Sequence, residues 1–163
     1  PFRIRIATII QSQLADVGIR AEVRSYDWGT FFGDVKAGRF QLYGLTWVGI
    51  KTPDIFRYAF HSASLPPDGA NRGRLNDAQV DALIGRATEA TALSQQAALY
   101  RQLQARLLQR LPYVPLWFED QFFAASAAIE GYALDAHGDY DALAHTARTQ
   151  SPVPVQAGLS HAR

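Results

Sequence analysis

The feature that most constrains the fold is the alternation of helical and strand periodicity in the first 46 residues. A first amphipathic helix is predicted, with Ile6 and Val17 on its apolar face. The segment from Arg20 to Tyr26 alternates in polarity and predicts a half-buried strand. A short helix capped by Thr30 and a strand from Phe40 to Thr46 follow. This order favours an α/β layer with right-handed crossovers and a mixed, largely parallel sheet flanked by helices.

The second half of the chain predicts two longer helices and further strands. One helix begins after Asn76 or Asp77, and the other begins after Ser94. The segment from Tyr113 to Phe118 predicts a strand, and the segment from Phe122 to Ala128 continues the sheet. We therefore expect helices packed against a sheet along most of the chain.

Composition excludes several classes of function. The chain has 163 residues, a formal net charge of +1 and interspersed acids and bases, so no electrostatic feature favours nucleic acid or an anionic membrane. It contains no cysteine, which excludes disulfides, thiolate catalysis and cysteine-ligated zinc. No apolar run approaches the roughly 20 residues that span a bilayer.

The junction between a predicted strand and a predicted helix is the best candidate for a ligand site. The strand ends in a Trp-Gly loop, and a helix starts at Pro53. Trp47 offers a large apolar face and one N–H donor, although packing in a core is an equally good interpretation. Gly49 permits close approach of the backbone to a ligand. Asp54 is expected to stabilise the helix N-terminus rather than to bind a cationic group.

The order of these motifs from Ile6 to Leu143 resembles the C-terminal lobe of the family 5 extracellular solute-binding proteins, the dipeptide and oligopeptide receptors of bacterial ABC importers. The pieces that carry the resemblance are the strand closing on Tyr26, Asp27 and Trp28, the loop from Trp47 to Asp54, Asn71, the pair Leu99 and Tyr100, the segment from Leu111 to Phe118, and Gly131 with Tyr132.

The resemblance implies the C-terminal lobe of a type II periplasmic-binding-protein clamshell. Residues 1–118 would form the incomplete ligand-binding lobe, residues 119–143 would cross back towards the missing N-terminal lobe, and residues 144–163 are predicted to be a disordered tail. An early helix after Pro1, with no initiator Met, also favours a fragment of a longer polypeptide. A peptide or peptide-like solute would be enclosed between the lobes and delivered to permease subunits, in the periplasm or at the cell surface. Neither catalysis nor a cofactor or metal is implied.

The candidate ligand-binding residues come from two loops. They are Trp47, Val48, Gly49, Ile50, Lys51, Asn71 and Arg72. Peptide receptors of this family commonly place an Asp shortly after the loop Trp to hold the peptide's amino group, whereas this chain has Ile50 and Lys51 there. Lys51 would either attract an anionic group or remain solvated. Asn71 and Arg72 would face the ligand, or else Asn71 would hold its own loop and Arg72 would pair at the surface.

Two other classes of function stay open from the sequence. The same lobe fused to a regulatory module would sense a ligand instead of delivering it. A hydrolase would need groups such as His61 and nearby Ser and Asp residues to assemble after folding, but no nucleophile elbow, zinc-protease motif or phosphate loop is present. The acids Asp139 and Asp141, with His137, suggest a cation site or simply a solvated turn.

Overall fold

The computed structural model describes residues 2–135 and 138–149. Within this part, the chain divides into two compact units. The first unit contains residues 2–46 and 52–115, and the second contains residues 47–51 together with the described residues from 116 onward. The candidate loop 47–51 thus belongs to the second unit, although its neighbours in the chain belong to the first.

The five helices predicted from the sequence are confirmed, but the last of them begins at Leu93, so the prediction that it starts after Ser94 is wrong. They are α1 (Phe2–Asp16), α2 (Trp28–Ala37), α3 (Asp54–Phe60), α4 (Ala78–Glu89) and α5 (Leu93–Arg110). Gly38 adopts a φ of 77° and closes α2 as expected. The prediction that Thr30 caps α2 is wrong. Asp27 has extended backbone geometry, and its carboxylate accepts a hydrogen bond of 3.1 Å from the backbone N–H of Thr30, so it takes the capping role.

The hydrophobic core lies where α4 and α5 pack together. Val80, Ile84 and Leu103 are essentially inaccessible to solvent. Partly buried apolar side chains surround this centre: Phe56, Phe60, Leu75, Leu83 and Tyr100. Both helices place their apolar residues at spacings of three and four, which directs one stripe of each helix at the other. The first unit is therefore held mainly by contacts between helices.

The mixed, largely parallel sheet does not form among the described residues. The predicted strands at residues 20–26, 40–46, 113–118 and 122–128 lack strand pairing. The alternation itself is real, because Ala21 and Val23 are half-buried between exposed neighbours. A strand also needs an adjacent backbone to accept its N–H groups, and alternating burial alone does not supply one. The coarser prediction, helices combined with β structure, is confirmed.

Strand pairing in the described part of the chain is confined to one short antiparallel ladder. β1 (Ile129–Glu130) pairs with β2 (Ala147–Arg148), and a 3₁₀ helix (Asp141–His145) precedes β2. Part of the predicted disordered tail is thus ordered, whereas residues 150–163 lie outside the described residues. No helix in residues 2–135 or 138–149 has both the length and the apolar character required to cross a bilayer.

Candidate functional site

The candidate loop, residues 47–51, presents mainly apolar groups. The Trp47 side chain is half-buried, whereas Val48 is 84% exposed and Ile50 is 37% exposed. Gly49 adopts a φ of 70°, and a Cβ placed on it would have no neighbouring atom within 4 Å. An L-residue would be strained at this φ, so glycine sets the shape of the loop and leaves its backbone open. The loop can therefore offer an indole, two aliphatic side chains and accessible backbone.

Lys51 ends this loop and pairs with acids from the later part of the chain. Its ammonium contacts the Asp139 carboxylate and lies 3.7 Å from the Asp141 carboxylate. The hydrogen bond with Asp139 raises the pKa of Lys51 and lowers the pKa of Asp139. The sequence left two alternatives for Lys51, a solvated side chain or a group that binds an anion of the ligand. The structure shows a third arrangement, in which Lys51 pairs with carboxylates of its own chain.

Asp139 is held in place from several directions. Its Oδ1 accepts a hydrogen bond of 3.2 Å from the backbone N–H of Asp141, and its backbone carbonyl accepts one of 3.4 Å from the Tyr132 hydroxyl. The Tyr132 ring stacks on Phe123 with ring centroids 3.8 Å apart. Backbone and aromatic contacts therefore fix the carboxylate that receives Lys51.

The hinted cation site at Asp139 and Asp141 is occupied by a side chain of the protein itself. Asp135 adds a further acid to this turn, where its carboxylate accepts a hydrogen bond of 2.8 Å from the backbone N–H of Gly138. Its charge also contributes to the raised pKa of Lys51. His137 lies outside the described residues. Among residues 2–135 and 138–149, no group of three or more His, Cys, Asp or Glu side chains is arranged to hold a metal ion.

Asn71 organises the polar loop that follows α3. Its side chain is 2% exposed, and its amide nitrogen donates to the backbone carbonyls of His61 and Leu75 at 3.1 and 2.8 Å. Its amide oxygen accepts a hydrogen bond of 2.8 Å from the backbone N–H of Leu75. Three of its hydrogen-bonding positions are thus committed to the protein. The structure supports the alternative in which Asn71 holds its own loop.

Arg72 lies beside Asn71 in the first unit. Its guanidinium carbon is 5.1 Å from the centroid of the Phe32 ring, within the range of a cation–π contact. Asn71 and Arg72 both belong to the first unit, whereas the candidate loop belongs to the second.

Comparison with known proteins gives several relatives, although no family model matches the chain. Di/tripeptide-binding protein 2 of Pseudomonas aeruginosa is 31% identical over 131 residues, which cover 80% of this chain and 25% of the relative. Heme-binding protein A of Haemophilus influenzae is 27% identical over 85% of this chain and 25% of the relative. The dipeptide-binding protein of Escherichia coli is 26% identical over 83% of this chain and 26% of the relative.

The chain is homologous to the family 5 extracellular solute-binding proteins. It spans about a quarter of the length of the relatives it matches. These relatives are named as binding proteins and not as enzymes, and one further relative is named as a periplasmic protein.

Ser62, His61 and Asp81 lie near one another, but their hydrogen bonds do not form the serine–histidine pair that nucleophilic catalysis requires. The Ser62 hydroxyl donates to Asp81 at 2.5 Å, instead of donating to a histidine that could remove its proton. His61 lies nearby, but its Nδ1 accepts a hydrogen bond of 3.1 Å from the backbone N–H of Ala63. The Asp81 carboxylate also accepts from the backbone N–H of Ser62 at 2.9 Å. This cluster fastens the start of the polar loop to α4.

Sequence reasoning missed the partnership between Lys51 and Asp139. The sequence indicated Lys51 as a possible anion-binding group and Asp139 as part of a possible cation site. The available signal was that a lone cationic side chain in the loop and a concentrated acidic turn are complementary in charge. The two residues are 88 positions apart, and local sequence patterns do not predict which distant residues come into contact.

Proposed function

We propose that this chain is part of the substrate-binding component of an ABC-type importer, which captures a peptide or peptide-like solute between two lobes and delivers it to a membrane permease. The observation that carries the proposal is the similarity to di/tripeptide-binding proteins over 80% of the chain. The relatives are named as binding proteins, which supports binding without covalent chemistry. The relative that is named as a periplasmic protein supports a periplasmic location, and a lipid-anchored position at the cell surface is the alternative location that we propose.

Residues 1–118 are proposed to belong to the C-terminal lobe of the clamshell. The alternating burial in residues 20–26 and 40–46 suits strands of a mixed, largely parallel sheet that the complete protein would pair. Residues 119–143 would cross back towards the N-terminal lobe. Phe118 is 102% exposed and Phe122 is 90% exposed, which fits aromatic side chains that further parts of the same polypeptide would cover.

The candidate loop forms one wall of the proposed binding cleft. Trp47, Val48 and Ile50 would supply apolar contact, and Gly49 would let the backbone approach the solute. Lys51 would complete this wall. Asn71 and Arg72 would contribute through the polar loop, where Asn71 acts by holding the backbone in shape.

Native mass spectrometry of the complete receptor, purified gently from its own cells, tests the proposal. A retained peptide or amino-acid derivative, identified after denaturing release, is the expected result. A retained nucleotide or sugar would contradict the proposed solute class. If the complete polypeptide carries a DNA-binding module and no import function, the regulatory alternative is correct instead.

Replacement of two tryptophans, one in the candidate loop and one outside it, tests whether the loop forms a wall of the binding cleft. Replacing Trp47 with Ala should weaken binding of the identified solute by about tenfold or more, because a large flat contact is lost. Trp28→Ala is the matched control, since Trp28 is 62% exposed and stacks on Phe32 within α2. Equal affinities of the two variants, measured by calorimetry, would remove Trp47 from the site.

A further inference from the structure

The candidate loop carries a single charged side chain, and that charge already has partners. Lys51 is the charged residue of residues 47–51, and its ammonium pairs with Asp139 and lies near Asp141. An anionic group of a solute would have to compete with two carboxylates of the same polypeptide for this ammonium. The Lys51 side chain is 50% exposed, so water screens the contact, but the carboxylates are present at all times and need no association step.

The acidic side of this ion pair is better ordered than a surface carboxylate usually is. The Asp139 side chain is 22% exposed, and its second oxygen accepts the backbone N–H of Asp141. The Tyr132 hydroxyl and the stacked Phe123 ring hold the backbone around it. A fixed acceptor of this kind restricts where the ammonium, and with it the end of the loop, can lie.

We propose that Lys51 is a positioning residue, which fixes the end of the candidate loop through Asp139, and that it does not bind an anionic group of the solute. This inference rests on the proposed function of the loop. It also narrows the solute class: the part of the solute that faces the loop meets Trp47, Val48, Ile50 and open backbone at Gly49, so that part carries no anionic group held by the loop.

Hydrogen exchange of the complete receptor without any solute tests the positioning role directly. Replacing Lys51 with Met keeps a flexible apolar stem but removes the charge, and backbone amides of residues 47–51 should exchange about two- to fivefold faster. Asp139→Asn should have the same effect. Amides in α5 should be unaffected in both variants. Unchanged exchange in the loop of both variants would overturn the proposal.

A charge swap separates pairing from incidental effects of substitution. The double variant Lys51→Asp with Asp139→Lys reverses both charges and retains the pair, so it should exchange more slowly than either single replacement by a neutral residue. Exchange as fast as in Lys51→Met would contradict a role for the ion pair.

Binding of two matched probes tests the solute class. The tripeptide Ala-Leu-Phe and its C-terminal amide differ by one anionic group, and their affinities for the complete receptor can be compared by calorimetry. Lys51→Met should weaken both by a similar factor, because the loop is displaced for either probe. Loss confined to the free-carboxylate peptide in Lys51→Met, without loss in Asp139→Asn, would show that Lys51 receives an anion and would overturn the inference.

The two experiments distinguish failure of the inference from failure of the proposed function. If the unmodified receptor binds neither tripeptide, the proposal of a peptide solute fails for these probes. Exchange in residues 47–51 then decides the role of Lys51 without reference to any solute.

Discussion

Arg106 of α5 donates to the carboxylate of Asp77, the residue that caps the N-terminus of α4. The two donating nitrogens lie 3.1 and 2.7 Å from Asp77 Oδ2. The other oxygen accepts the backbone N–H groups of Gln79 and Val80 at 3.0 and 3.3 Å. One carboxylate therefore starts α4 and joins it to α5, the helix that supplies the other half of the core.

Removal of this carboxylate should destabilise the first unit. Asp77→Ala deletes the cap and leaves Arg106 without its partner, so we expect the free energy of unfolding to fall by about 1 to 3 kcal/mol. Urea denaturation followed by circular dichroism measures the change. Asp68→Ala, at an exposed position of the polar loop, is the control and should change stability by less than about 0.5 kcal/mol. Equal effects of the two variants would contradict the bridging role.

The same carboxylate should make stability depend on pH in the acid range. Burial acts to raise the pKa of Asp77, but hydrogen bonds from Arg106 and from the backbone N–H groups of Val80 and Gln79 outweigh it and lower the pKa. Its folded-state pKa is thus below the ordinary value of 3.8. The stabilisation is complete above that ordinary value and is lost as pH falls through the depressed one.

Denaturation midpoints measured between neutral and strongly acid pH check this expectation. The Asp77→Asn variant cannot ionise at this position, so its stability should fall less steeply with acid than that of the unmodified protein. Parallel pH profiles for the two proteins would show that Asp77 makes no contribution to the acid dependence.

The packing between α4 and α5 gives a sharper test of the core. Leu103 is 0% exposed, whereas Leu108 on the same helix is 60% exposed. Leu103→Ala should lower the free energy of unfolding by about 2 to 5 kcal/mol because it leaves a cavity. Leu108→Ala removes the same atoms from a solvated position and should cost less than about 1 kcal/mol. A comparable loss in the two variants, measured in urea, would mean that the core lies elsewhere.

An isosteric change at Asn71 distinguishes its structural role from ligand contact. Asn71→Asp replaces the amide nitrogen, which donates to His61 and Leu75, by an oxygen that would face the same two carbonyls. We expect a loss of about 1 to 3 kcal/mol in unfolding free energy at neutral pH, because two carbonyls lose their donor and a charge is buried. Asn76→Asp, at an exposed position, is the control. Unchanged stability combined with weaker solute binding would instead assign Asn71 to the ligand.

Local sequence signals predicted the helices well. Apolar spacing located α4 and α5, and Gly38 marked the end of α2, because periodicity and a left-handed glycine are local properties. The cap of α2 was misplaced by three residues, since Asp27 and Thr30 are both good capping residues and the local pattern does not rank them. Whether extended segments pair was beyond the reach of such signals, because pairing depends on a partner backbone.

The candidate site divides in the same way. The sequence selected the loop at Trp47, whose role in binding stays a prediction, and its motif order indicated the relationship that the solute-binding homologues support. It also included the interpretation of Asn71 that the hydrogen bonds favour. The partner of Lys51 depended on a contact between distant parts of the chain.

The sequence by itself determined the helical framework, the open glycine in the candidate loop and the homology to solute-binding proteins, because each is encoded in residue order and local spacing. Only the tertiary structure decided that Lys51 pairs with Asp139, that the Asn71 side chain forms hydrogen bonds within its own loop, and that Ser62 donates a hydrogen bond to Asp81. The physical reason is that charges and hydrogen bonds act over a few ångströms, and folding sets those distances independently of position along the chain.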